Sequence, residues 1–168
     1  RCDTGAGRHG WSERVPTLPD EMMSWASLLQ FPDVPFVPEP VRGQSFAVVY
    51  GAFLGSEAAG RALLRPVRDL GPAMDTFAMV PPAALGTLAM DPPDPLPFVL
   101  TTALLSDLPT AGVDDLVTAV GPESGSPLAM VELRQLGGAI ARQAPGAGAR
   151  ATLPGTLSLL ALGVPSDE

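Results

Sequence analysis

The sequence predicts an α+β fold, an α/β sandwich built on a largely antiparallel sheet with helices packed on one face. Strand-like and helix-like runs are interspersed along the chain, most strand-like runs alternate polar and apolar residues, and no glycine-rich phosphate loop joins a strand to a helix. A doubly wound parallel sheet would show such loops and continuously apolar strands. One face of the sheet is then free to cover something.

At 168 residues the chain suits one domain that buries roughly two thirds of the surface exposed on unfolding. Eighteen glycines and twenty prolines fall just short of the roughly 25–30% at which low-complexity disorder becomes the leading reading. The elements must be short and heavily punctuated.

Glu21 to Phe31 alternates, with Trp25, Leu29 and Phe31 on one parity, and reads first as a strand, with a helix as the alternative. The next stretch, Pro32 to Gly43, carries four prolines and reads as an extended connection. Gln44 to Gly55 is the clearest strand, rich in β-branched and aromatic residues. Ser56 followed by Glu57 starts a helix with an apolar stripe of Ala58, Leu63, Leu64 and Val67, ended by Gly71 and Pro72. Met74 to Val80 is strand-like, and Pro81-Pro82 opens a short helix through Leu88. Asp91 to Pro97 reads as a rigid acidic loop, Phe98 to Leu105 as a strand, and Pro109 to Val120 as a helix facing inward through Leu116, Val117 and Val120. Ser126 to Arg142 and Gly155 to Gly163 supply the last two strands. Residues 1–18 are expected to be disordered or irregular, 19–164 to form the domain, and 165–168 to be a tail.

A net charge of −8 repels phosphate backbones and anionic lipid, which argues against nucleic acid as a partner. No apolar run reaches the roughly 18–20 residues of a membrane span, so a soluble chain that uses no membrane is expected. Every basic side chain is arginine, lysine and asparagine are absent, and Ile140 is the sole isoleucine. This is the bias of a GC-rich genome, pointing to a bacterial, cytoplasmic protein.

Cys2 is the only cysteine and His9 the only histidine, so an internal disulfide, a thiolate metal site and a redox cysteine pair are excluded, and no metal is expected. A histidine-based hydrolase would have to use His9, which lies in a glycine-rich terminal segment that reads as a tail. With no initiator methionine and no signal pattern, the chain reads as a piece of something longer. Gly5, Gly7 and Gly10 match a dinucleotide fingerprint only as a string, since no strand precedes them. The carboxylate pairs Asp114/Asp115 and Asp91/Asp94 read as solvated, and no catalytic residue is assigned.

Glu132 and Arg134 are different. They stand at i and i+2 on a strand that otherwise reads as core, with Leu128 and Met130 on the same face and Ala129, Val131 and Leu133 on the other. Gln135 ends the strand, and Gly137-Gly138 follows, a pair that suits a bulge or turn at the rim of a site. One reading is an exposed ion pair worth little to stability. The other is a polar pocket in which the guanidinium binds an anionic or carbonyl group and the carboxylate accepts protons. Tyr50, the only tyrosine, either joins that face or packs in the core.

The block from Phe46 to Leu85, followed by Ser126 to Arg142, resembles the substrate-binding region of FAD-linked oxidases of the berberine bridge enzyme and 6-hydroxynicotine oxidase type. The likeness rests on the strand Phe46 to Phe53, the helix Ser56 to Asp69, the Gly-Pro turn at Gly71, the Pro-Ala-Ala-Leu helix from Pro81, and the run Glu132 to Ala139; it spans about Pro19 to Gly163. The resemblance implies an antiparallel sheet that roofs the isoalloxazine ring, with a small organic substrate held between sheet and flavin by Glu132, Arg134, Gln135 and Tyr50. It implies that FAD belongs to a separate FAD-binding domain of the same protein, that none is bound by this chain alone, and that the isolated chain is not catalytic. Cys2 and His9 do not stand in the family's flavin-attachment motifs, and its Tyr-x-Asn-like carboxy-terminal signature is not found. The last strand offers Ser158, Leu160 and Ala161 where some relatives carry an acid or amide near the substrate. The alternative is a stand-alone, non-catalytic binding module whose open sheet face is covered by a homodimer partner.

Overall fold

The structure is a computed structural model that describes residues 10–35, 37–88, 95 and 97–165. Five strands form one sheet: β1 (Met22–Gln30), β2 (Ser45–Phe53), β3 (Val99–Leu105), β4 (Leu128–Gln135) and β5 (Leu157–Gly163). Their order is β2-β1-β4-β5-β3 and every pairing is antiparallel, as expected. Among the described residues, two longer α-helices accompany them, α1 (Glu57–Arg68) and α2 (Thr110–Val120), besides the helical residues 10–14.

Register decides what each face carries. Trp25 pairs with Arg134 and with Tyr50, Ser27 with Glu132 and with Val48, and Glu132 also with Leu160. Directly paired residues of an antiparallel sheet share a face. The opposite parity, with Ala26, Val49, Leu133, Leu157 and Leu159, packs against Trp11, Val15 and the α2 residue Leu116. Side chains of α1, namely Leu63, Leu64 and Val67, line a small apolar space with Met22 and Val49 on that same face. Both helices therefore lie on one side, and the parity of Glu132 points away from them.

Local chemistry explains the helix ends. Ser56 Oγ accepts from the Ala59 N–H at 3.3 Å, capping α1 as its position predicts. The short helix after Pro81 is a 3₁₀ helix, Pro82–Thr87.

Three expectations need correcting. Met74 to Val80 is not a strand: Asp75 bonds Arg68 and accepts the Phe77 N–H at 3.0 Å, a local turn that takes a donor a ladder would need. Pro32 to Gly43 is a folded turn region, not an extended connection, because Arg42 donates to the carbonyls of Pro35 and Val37 and draws the chain back on itself. The expected irregular segment 1–18 is structured from residue 10: residues 10–14 are helical, a 3₁₀ turn covers Val15–Thr17, and Trp11 and Val15 enter the core. Two apolar side chains three to four residues apart on a helical turn make a face that the sheet buries. Cys2, His9 and the Asp91/Asp94 pair lie outside the described residues.

Candidate functional site: a polar row on the helix-free sheet face

Across the five strands, Glu132 and Arg134 are the only charged side chains. Both stand on the face away from the helices. Arg134 Nη2 donates to Glu132 Oε1 at 2.6 Å, and Ser27 Oγ donates to Glu132 Oε2 at 3.3 Å. The carboxylate is thus gripped through both oxygens by residues of two strands. Its side chain is only 10% exposed, whereas that of Arg134 is 47% exposed, so the guanidinium is the accessible member of the pair.

Aromatic rings hold the guanidinium in place. Trp25 and Tyr50 stack with centroids 5.1 Å apart and planes 7° from parallel, and the Arg134 guanidinium carbon lies 5.4 Å from the Trp25 ring centre. Tyr50, Trp25 and Arg134 come from three adjacent strands, so the layered row is a direct product of register. A cation over an indole is stabilised by about 0.5–1 kcal/mol where exposed. The larger effect is geometric, because a stacked guanidinium loses rotamer freedom before any ligand arrives. Beyond the pair, β5 places Ser158 opposite Arg134 and Leu160 opposite Glu132, while Ala161 takes the other face.

Of the four residues expected to bind substrate, the structure brings Glu132, Arg134 and Tyr50 together. Gln135 goes elsewhere: it lies on the helix side, 3% exposed, and its Oε1 accepts the Ser24 N–H at 3.2 Å. One residue past Arg134, the pleat turns the side chain to the opposite face. Sequence reasoning missed Trp25 and Ser27 as members of the site. Their parity was visible, but which parity of β1 faces Glu132 depends on a pairing 105 residues apart in the chain. Asp114 lies on the exposed side of α2, and no group of three or more metal-ligating side chains occurs among the described residues.

The glycine pair closes the end of β4. Gly138 has φ +62°, and a Cβ there would sit 3.1 Å from the Asp20 carbonyl oxygen, so only glycine fits both the left-handed backbone and the close approach. Arg142 then pairs with Asp20 across the same junction.

No family model and no curated protein matches the chain. Among solved structures it is similar to a chitooligosaccharide oxidase, with a TM-score of 0.67 and 15% identity over 95% of this chain and 35% of that one. It is also similar to a berberine bridge enzyme variant, with a TM-score of 0.61 and 13% identity over 95% of this chain and 32% of that one. The chain thus spans about a third of the length of these structures. Sequence identity this low establishes the fold alone, and that fold is one found in FAD-linked oxidases, the group the sequence itself resembles.

Proposed function

We propose that this chain is the substrate-binding part of an FAD-dependent oxidoreductase, with its helix-free sheet face forming a roof over the flavin and a small organic substrate held between them. The observation that carries the reading is the fixed row Tyr50–Trp25–Arg134–Glu132 on the one sheet face that the helices leave uncovered. The neighbouring folds support it by covering nearly all of this chain with a third of their own length.

The residues present fit the flavin ring but not the whole cofactor. A face whose only two charges neutralise each other suits a flat, largely apolar ring, whereas the five strands and two helices carry no glycine-rich pyrophosphate cradle. FAD is therefore assigned to an FAD-binding domain of the same protein. When bound, the flavin supplies the redox chemistry, accepting a hydride equivalent that oxygen later removes. This chain's part is to bind and orient. Arg134, pinned against Trp25, donates to an oxygen of the substrate, and Tyr50 borders the same row. Glu132, held by Ser27, keeps the guanidinium directed across the face. Separated from the FAD-binding domain, these groups line half a site, so the isolated chain is inactive.

The test is Arg134→Ala in the full reading frame that contains an FAD-binding segment. Loss of a charge-assisted hydrogen bond of roughly 1.5–3 kcal/mol should lower kcat/KM by at least tenfold with flavin content unchanged. Unchanged kcat and KM would overturn the assignment, as would a reading frame with no FAD-binding segment on either side.

A further inference from the structure

The charge state of this face carries a statement about its ligand. Resting on the placement of substrate proposed above, we infer that the site selects an uncharged, mainly apolar molecule presenting a carbonyl or hydroxyl oxygen, and discriminates against carboxylates and phosphates. An arginine in a pocket ordinarily suggests an anion, because a free guanidinium gains a full charge-assisted bond to one. Here that bond is already made, at 2.6 Å, to Glu132, which sits on the same strand and is also held by Ser27 of the neighbouring strand. An incoming anion would meet the guanidinium together with a carboxylate within its own hydrogen-bonding shell. Like-charge juxtaposition of that kind is strongly unfavourable, and a chain of net charge −8 adds repulsion at longer range.

A neutral oxygen acceptor faces no such penalty, since a guanidinium carries five N–H donors and the Arg134 side chain is 47% exposed. The remaining surroundings favour apolar bulk over a polyol. Val48, Leu29, Met130 and Leu160 occupy the cross-strand and next positions around the Ser27–Glu132 pair. The two faces of the Trp25 ring are taken by Tyr50 and Arg134, so the indole has no broad face left for a sugar ring to stack on.

The chain carries its own reporters. Its two tryptophans sit on opposite sides of the sheet: Trp25 in the row, and Trp11 buried among the core residues with its indole N–H donating to Ser24 Oγ at 2.9 Å. A ¹⁵N-labelled sample of the full 168-residue chain would be titrated with 2-acetylnaphthalene, 2-naphthoate and chitotriose while both indole N–H signals are followed by NMR, Trp25→Phe assigning them. The inference expects 2-acetylnaphthalene to move the Trp25 signal alone, with a dissociation constant at least about tenfold below those of 2-naphthoate and chitotriose. Glu132→Gln, which leaves the guanidinium unneutralised, should reverse the preference in favour of 2-naphthoate, with an unmoved Trp11 signal certifying that the variant is folded. If 2-naphthoate or chitotriose binds the wild-type chain as tightly as the ketone while moving Trp25, the site stands and the selectivity is wrong. If no probe moves Trp25 at millimolar concentration, or Trp11 moves instead, the placement of substrate on this face fails and the selectivity with it.

Discussion

Ser24→Ala should be among the most destabilising single-atom changes in this protein. Ser24 is 2% exposed on β1 and joins three segments. Its hydroxyl accepts from the Trp11 indole at 2.9 Å and donates to the Tyr50 carbonyl of β2 at 2.8 Å, while its own N–H reaches Gln135 of β4 at 3.2 Å. Alanine keeps the last bond and loses the other two. Each lost bond costs roughly 0.5–1.5 kcal/mol, and a buried donor left unpaired costs roughly 1–3 kcal/mol. Trp11 is 5% exposed, so its N–H has no direct route to water. The expected total is about 2–4 kcal/mol, read as a fall in the urea midpoint by circular dichroism with the slope unchanged. Trp11→Phe removes the orphaned donor, so in a double-mutant cycle Ser24→Ala should cost about 1 kcal/mol less when Trp11→Phe is already present. A loss below about 1 kcal/mol, or additive behaviour in the cycle, would refute the claim that this hydroxyl ties the amino-terminal turn to the sheet.

Three other outcomes are expected. Gly138→Ala should destabilise by more than Gly146→Ala, although both have positive φ, because a Cβ at 138 meets the Asp20 backbone and one at 146 meets open space; the second should cost about 1–2 kcal/mol by urea unfolding. Ser56→Ala should cost about 0.5–1 kcal/mol by removing the α1 cap, a loss that Ser56→Asp should largely restore. The Arg68 side chain, and then the Phe77 N–H, hold the Asp75 carboxyl below its ordinary range. A depressed carboxylate pKa contributes stability that is fully present above the unfolded value of about 3.9 and is lost as pH falls through the lower folded value. Wild type and Asp75→Asn should therefore converge in urea midpoint on acidification below about pH 4; a constant difference would show that the carboxylate's charge contributes nothing.

Much of the architecture was legible because it rests on local signals. Alternation marked β1 and β4, β-branched and aromatic content marked β2, serine and proline marked helix starts, and the mostly alternating strands together with the absence of phosphate loops implied an antiparallel sheet with helices on one side. Reading failed where a long-range contact outweighed local pattern, or where a side chain captured a backbone donor. Met74 to Val80 is strand-like in composition, yet an aspartate two residues before Phe77 takes the N–H first. Trp11 stands in a glycine-rich terminal stretch, and only the hydroxyl of Ser24 and the apolar face of the sheet give it a buried place.

For the site the division is sharper. From the sequence alone came the anomaly itself: a carboxylate and a guanidinium on one parity of an apolar strand, in a chain with a single cysteine and a single histidine. The fold that this pattern resembles was readable too. Tertiary structure alone decided which side chains keep company with that pair. A one-residue change in register would have moved Trp25 and Ser27 to the helix side, because side chains on a strand alternate with a period of two. The observed pairing instead stacks Trp25 on Arg134, sets Ser27 beside Glu132 and sends Gln135 into the core. Whether Arg134 meets a ligand as a free cation or as a neutralised donor depends on that arrangement, and no property of residues 132 and 134 taken singly determines it.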